Sequence, residues 1–224
     1  MPTMPIMRTT TPAGERLLDA ASELFYTRGI HAVGVELISE VAGTTKKTLY
    51  DRFGSKDTLV ALYLERRLER WKAYVEERLA RHRPGVEKVL AVFDALEEWL
   101  GQHSCGCAFV NAHAEIGQSD HPGVAVIRAE KSWTRACYQR LVAEALPELG
   151  TATETTETTS TTETTDQDAS RNDDADRALD ADTLGAQLHL LHEGAIVDHT
   201  VGARPEAISD ARAAARRLLG VSSA

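Results

Sequence analysis

The chain has 224 residues, 42% of them hydrophobic, and a formal net charge of −9. That length admits one large domain or a small head on a larger body, and the apolar fraction supports a sizeable core. No run of about 18 apolar residues occurs, which excludes a membrane-spanning helix; the three cysteines, Cys105, Cys107 and Cys137, make no disulfide framework and fit a reducing cytoplasm.

The opening MPTMPIMRTTTPAG has no continuous apolar stretch, so residues 1–10 read as a disordered leader and not as a secretion signal. From Thr11 to Arg28 the pattern places Leu17, Leu18, Ala21, Leu24 and Phe25 on one side of a helix and Glu15, Asp19 and Glu23 on the other. Pro12 and Gly29 mark its limits. Next, Val35, Leu37, Ile38 and Val41 precede a Gly-Thr-Thr turn, and Leu49 and Phe53 follow it. Ile38 and Val41 share one helical stripe by spacing, Leu49 and Phe53 another. Two short helices therefore meet at a tight corner. Gly43 suits the left-handed residue that ends the first, and Thr45 suits the cap of the second. The second helix opens with Lys46, Lys47 and Thr48, which point away from the buried Leu49 and Phe53. Two cations and a hydroxyl in a first turn suit a helix inserted end-first into a DNA major groove. Together these three helices make a head over residues 11–56, too small to be very stable alone and expected to lean on the remainder.

An acidic chain is an unexpected nucleic-acid binder, because phosphate contact favours basic surfaces. The distribution resolves much of this. Ten acids and two arginines between Gly150 and Thr183 give a balance of −8, so the rest of the chain carries only −1. Residues 1–58 hold seven basic and seven acidic groups. DNA affinity must then come from locally clustered cations.

Gly54-Ser55-Lys56-Asp57 restarts the helical pattern, with Ser55 as cap and Leu59, Leu62, Tyr63, Leu68, Trp71 and Val75 at helical spacing to about Ala80. A helix that long would reach from the head into a body over residues 57–220. Further helices are expected over 84–100, over CAFVNAHAEIG, from Pro122 to about Leu146, from Asp182 to about Val201, and from Pro205 to Leu219. On the third of these, Val126, Ala129, Trp133, Ala136, Cys137, Arg140 and Leu141 form or flank the inner stripe. The Thr- and Glu-rich segment at about 150–177 has almost no large apolar side chain and reads as a disordered acidic loop. No alternating β-branched run occurs, so the fold class is all-α.

The pattern of Gly29, Val35 to Gly43 and T-x-x-T-L-Y-D-R-F-G-S-K-D-x-L from Thr45 to Leu59 closely resembles the tetracycline-repressor-like (TetR) family of bacterial transcription regulators. The likeness covers about 50 residues at high specificity; the rest agrees in its all-helical architecture and more loosely in GCAFVNAHAEI with a later Trp133. The resemblance implies a helix-turn-helix head on a larger helical body for ligand binding and dimerisation. It implies that Thr45, Lys46 and Thr48 face the groove, that Tyr50 reaches a phosphate, and that Lys56 adds charge to a phosphate site at the start of the long helix. Three positions depart from the family pattern: Gly34 stands for a Ser or Thr cap, Thr44 for Val or Ile, and Lys47 for a small residue. Lys47 adds a possible phosphate or guanine contact, so the operator is not inferable from relatives.

A body of this kind encloses an apolar pocket, and Trp71, Phe93, Leu96, Trp99, Phe109, His113, Trp133 and Cys137 are the candidates to line it, with ordinary core as the default for each. The resemblance also makes HLLHEGAIVDH part of a dimer-forming helix, giving Leu188, His192, Ala195 and His199, with Ala211 and Ala215 from the last helix, as interface residues. The implied function is a homodimeric, DNA-binding transcriptional regulator, a repressor released from a palindromic operator by a small, largely apolar effector. No cofactor and no metal is expected, and no catalytic residue. The alternative is a small helical metal- or thiol-dependent enzyme using His103, Cys105, Cys107, His113, His121 and the later histidines. Against it, Cys105-Gly-Cys107 lacks paired C-x-x-C spacing, and H-x-x-H-E is neither H-E-x-x-H nor H-x-x-E-H. A non-specific nucleoid protein would need a basic surface, which the neutral head does not offer.

Overall fold

The computed structural model describes residues 11–102, 105–154 and 180–221. The leader at 1–10, His103, and the acidic segment from 155 onward lie outside these residues. Among the described residues there are nine helices and no strand: α1 Pro12–Arg28, α2 Val35–Val41, α3 Lys46–Phe53, α4 Lys56–Leu79, α5 Val86–Gly101, α6 Ala108–Ile116, α7 Gly123–Glu154, α8 Ala181–Thr200 and α9 Ala207–Leu218. The all-α expectation holds. None of these helices is long and apolar enough to cross a membrane.

The chain divides into two compact units. One takes the chain up to Lys72 together with Cys107–Lys131; the other takes Ala73–Gly106 together with the chain from Ser132 onward. In the first, α1 is capped by Thr11, whose hydroxyl accepts the Gly14 N–H at 3.3 Å. Its buried line of Leu17, Ala21, Leu24 and Phe25 meets Ile38 from α2, Leu49 and Phe53 from α3, and Leu59 and Leu64 from α4. Phe109, Ala112 and Ile116 of α6 complete the same core. Arg66 of α4 holds Glu15 and Asp19 of α1 at 2.5 and 2.6 Å. These pairs are half-exposed, so each adds only about 0–1 kcal/mol and orients more than it stabilises.

The second unit packs α9 against α8 and α5. Leu79, Leu90, Phe93, Tyr138, Leu141, Leu188 and Ile208 are among its fully buried large side chains. Arg212 pairs with Asp94 at 2.7 Å and Arg216 with Glu87 at 2.6 Å, tying α9 to α5. Gly185 is dictated by close approach: a Cβ there would lie 2.7 Å from the Gln139 backbone nitrogen, so α8 meets α7 backbone to backbone.

The buried line of α7 is rotated from the expected one. Val126, Cys137 and Leu141 are buried as expected, but Ala129, Ala136 and Arg140 are exposed and Trp133 is half-buried, and Ile127, Glu130, Thr134, Tyr138 and Ala145 are buried in addition. Glu130 and Thr134 interrupt the apolar pattern at two inward positions, which shifts the apparent stripe by one residue. The helix also continues through Pro147 to Glu154 instead of ending near Leu146, so the acidic segment begins inside it.

Candidate nucleic-acid interface

At the corner, Gly43 has φ 59°, and the N–H groups of Gly43 and Thr44 return to the carbonyls of Glu40 and Ser39 at 3.0 and 2.9 Å, closing α2. Thr45 then starts α3: its hydroxyl accepts the Thr48 N–H at 3.1 Å and lies 3.0 Å from the Thr48 hydroxyl. Ile38 and Leu49 are fully buried and Phe53 nearly so, fixing which face of α3 turns inward. Val41 departs from expectation. It is 58% exposed, and Ala42, one residue later, takes the buried place. The inward line of this seven-residue helix runs Ile38 to Ala42, an i to i+4 pair, and Val33 from the preceding loop fills the remaining space.

Facing outward, Thr45, Lys46, Lys47 and Tyr50 are exposed and Thr48 is half-buried. Lys46 is ion-paired with Glu36 of α2, and Lys47 with Asp51 at 2.6 Å, one turn along its own helix. Both α3 lysines thus carry an acidic partner, the local form of the neutral charge count. The Lys56 ammonium donates to the Ile30 carbonyl at 2.7 Å and sits 5.9 Å from the Phe25 ring. One of its three donors is thereby engaged at the turn after α1. Gly34, which brings no side-chain cap to α2, has its place taken by Glu36. That carboxylate folds back until a Cβ on Gly34 would lie 3.0 Å from Oε2. The Lys46 hydrogen bond, followed by the bond from its own backbone N–H, holds the Glu36 carboxyl below the usual range.

This capped corner, with its core turned in and its cations turned out, coincides with a match to the family model for bacterial regulatory proteins of the tetR family, over residues 17–63. The matched segment contains most of α1, all of α2 and α3, and the start of α4. Residues 17–63 are thus similar to the tetR family of bacterial regulatory proteins. A transcriptional activator of the helix-turn-helix type, FasR of Mycolicibacterium smegmatis, is 34% identical over 98 residues, covering 42% of this chain and 45% of that protein. An uncharacterized regulator of the same type from Mycobacterium tuberculosis is 38% identical over 63 residues, covering 28% and 31%. The chain thus spans less than half the length of these curated relatives. Among solved structures, a TetR-family transcriptional regulator from Streptomyces coelicolor superposes with a TM-score of 0.72 at 24% identity, covering 94% of this chain and 96% of that one. A candidate tetR transcriptional regulator from Streptomyces avermitilis gives 0.68 at 26%, covering 95% and 100%. The relatives are described as regulators, so the enzyme alternative has no support among them.

The eight pocket candidates are divided between the two units. Trp71, Phe109 and His113 belong to the first unit; Phe93, Leu96, Trp99, Trp133 and Cys137 belong to the second. His113 is exposed, its ring lying over Gly117. Trp71, Phe93, Leu96, Phe109 and Cys137 are buried, and Trp99 and Trp133 half-buried. Burial pushes the Cys137 thiol up to about 11, with Arg140 beside it pulling the other way. Among the described residues no group of three or more His, Cys, Asp or Glu side chains is placed to hold a metal.

The interface candidates need correction. Leu188, His192, Ala195, Ala211 and Ala215 are all buried within the chain itself, and His199 is half-buried. His192 is a core group: its Nδ1 lies 3.0 Å from the Tyr138 hydroxyl, and the Phe93 ring packs against both. The opposite face of α8 carries the exposed apolar side chains: Leu190 at 70%, Val197 at 50% and Val201 at 68%. The signal was present in the sequence, since α8 is apolar on two faces and each face needs a cover. Glu36, Glu115 and Tyr138, by contrast, sit at positions whose roles depend on partners distant in sequence.

Proposed function

We propose that this regulator is a homodimer that binds a palindromic operator through α3, acting as a repressor that a small, largely apolar effector releases. The observation that carries the reading is the first turn of α3: Thr45 caps it, Lys46, Lys47 and Tyr50 are exposed, and Leu49 and Phe53 anchor it from behind. Side chains at the start of such a helix reach base edges, while Tyr50 and the lysines meet phosphates. Lys56 contributes through the Ile30 turn and not as a direct phosphate ligand. The dimer face is the Leu190, Val197 and Val201 stripe of α8, self-complementary about a twofold axis. Two α3 helices must then lie about 34 Å apart, or a multiple of it, to read both half-sites.

Effector occupying the body tilts α4 and moves the two heads out of that spacing. A hundredfold loss of operator affinity requires about 2.7 kcal/mol of coupling, within the usual allosteric range. The protein works in the cytoplasm, where its operator is. Selection from a random-sequence duplex pool tests the reading: the purified protein should enrich an inverted repeat. Failure to enrich any sequence would count against it. A promoter–reporter pair built on the enriched site then separates repression from activation, the sign carried by the name of the FasR relative.

A further inference from the structure

The turn between α1 and α2 is held from outside the head. After α1, Gly29 takes φ 88°, and Ile30 and Val33 drop into the core of the first unit. This leaves two successive backbone N–H groups, those of Ile30 and His31, without a helical partner. Both are taken by one side chain, Glu115 near the end of α6: Oε1 accepts from Ile30 N at 2.7 Å and Oε2 from His31 N at 2.6 Å. The His31 ring adds Nδ1 at 3.5 Å from the same Oε2. On the other side of the turn, Lys56 donates to the Ile30 carbonyl at 2.7 Å. Gly29 admits this arrangement, since a Cβ there would come within 3.2 Å of Glu115 Oε1. Hydrogen bonds to a carboxylate are about twice as strong as neutral ones, and here two converge on adjacent amides at the point where the chain enters α2.

We propose that Glu115 is a positioning residue for DNA reading: through the Ile30 and His31 amides, α6 fixes the turn that sets α2 and α3. This rests on the regulator reading above and adds a second connection to it, independent of α4 tilt. Glu115 lies outside the 17–63 segment matched to the family model. Any displacement of α6 pulls the carboxylate off both amides together, because the two oxygens belong to one rigid group. A second contact from the same end of α6 lies alongside, with His121 3.5 Å from Asp57 in the first turn of α4.

The test uses the full-length protein and a duplex enriched by the wild type, with a scrambled duplex of equal length as control. Glu115→Gln replaces one acceptor oxygen by a donor facing an N–H. It should accelerate amide exchange at Ile30 and His31 by about tenfold or more. It should also weaken binding to the enriched duplex by about tenfold, and binding to the scrambled duplex by less than about threefold, since phosphate contacts remain. The salt dependence should not change, which separates loss of positioning from loss of charge. Faster exchange with enriched-duplex affinity within about twofold of wild type would overturn the assignment, as would equal losses on both duplexes. Should Glu115→Gln fail to fold, Glu115→Asp keeps the charge but cannot reach both amides; its enriched-duplex affinity must also fall, and unchanged affinity overturns the assignment. A wild type that enriches no duplex would instead sink the regulator reading.

Discussion

Replacing Leu190 by glutamate should turn the proposed dimer into a folded monomer. Fully burying a Leu or Val side chain stabilises by about 1.5–3 kcal/mol. Scaled by the exposures of Leu190, Val197 and Val201, 70%, 50% and 68%, the stripe contributes about 4 kcal/mol per protomer, or about 8 kcal/mol across a twofold interface. Association costs an estimated 4–15 kcal/mol before any net affinity appears, so a share of about 3 kcal/mol from the two copies of Leu190 is decisive. Losing it weakens the dimer on the order of 100-fold, and an unpaired carboxylate facing its symmetry mate adds to the loss. Leu188→Ala is the contrasting perturbation: Leu188 is fully buried in the chain, so its truncation should cost about 2–5 kcal/mol of fold stability. Sedimentation equilibrium over nanomolar to micromolar protein, with thermal melting in parallel, reads both effects. A Leu190→Glu protein that dimerises like wild type would refute the reasoning and return the interface to another surface.

Four further outcomes follow from the same coordinates. Lys47→Ala should lower the slope of log affinity against log salt by about 0.9 on any duplex, measured by fluorescence anisotropy; an unchanged slope would show that Lys47 never leaves Asp51 for a phosphate. Tyr138→Phe removes the hydroxyl 3.0 Å from His192 in a fully buried setting and should cost about 1–3 kcal/mol in urea unfolding. Cys137, with its thiol pushed up to about 11, should resist iodoacetamide at pH 8, where about one molecule in a thousand is thiolate, while half-exposed Cys105 and Cys107 react. By linkage, the stability associated with the Cys137 proton is fully present below the ordinary thiol value of 9.0 and declines as pH rises toward about 11. Gly34→Ser supplies the absent hydroxyl cap to α2 but displaces the Glu36 carboxylate, which lies 3.0 Å from the new Cβ; freed from its partner, Lys46 should steepen the salt dependence of DNA binding.

The head was legible because its signals are local. Caps, turn glycine and apolar spacing all lie within four residues of what they determine, and Thr45, Gly43, Leu49 and Phe53 behave accordingly. Reading failed where a short helix offers too few turns to define a face, as with Val41, and where polar residues occupy inward positions, as with Glu130 and Thr134 on α7. It failed again on α8, where two apolar faces compete and periodicity alone does not say which meets the chain's own core. There the side chain sizes give a clue: Leu188 stands close to the backbone contact at Gly185, whereas Leu190 and Val197 surround Gly194, beside which nothing lies within 4 Å. Lys56 shows a contact that spacing alone does not reveal. Its position at a helix start suits a phosphate site, but only the fold shows the Ile30 carbonyl that claims it.

The paired lysines give the neutral head a consequence beyond its charge count. A phosphate that recruits Lys46 or Lys47 competes with Glu36 or Asp51, so the gain from each contact is less than the whole of one exposed charge pair. Random DNA offers phosphates alone and returns little over the carboxylates it replaces. An operator that also satisfies Thr45, Thr48 and Tyr50 adds contacts for which the head holds no internal acidic substitute. Acidic partners of the α3 lysines should therefore lower non-specific affinity more than they lower specific affinity. On this reading, selectivity in an acidic regulator comes partly from withholding its cations until the correct groove supplies the remaining bonds.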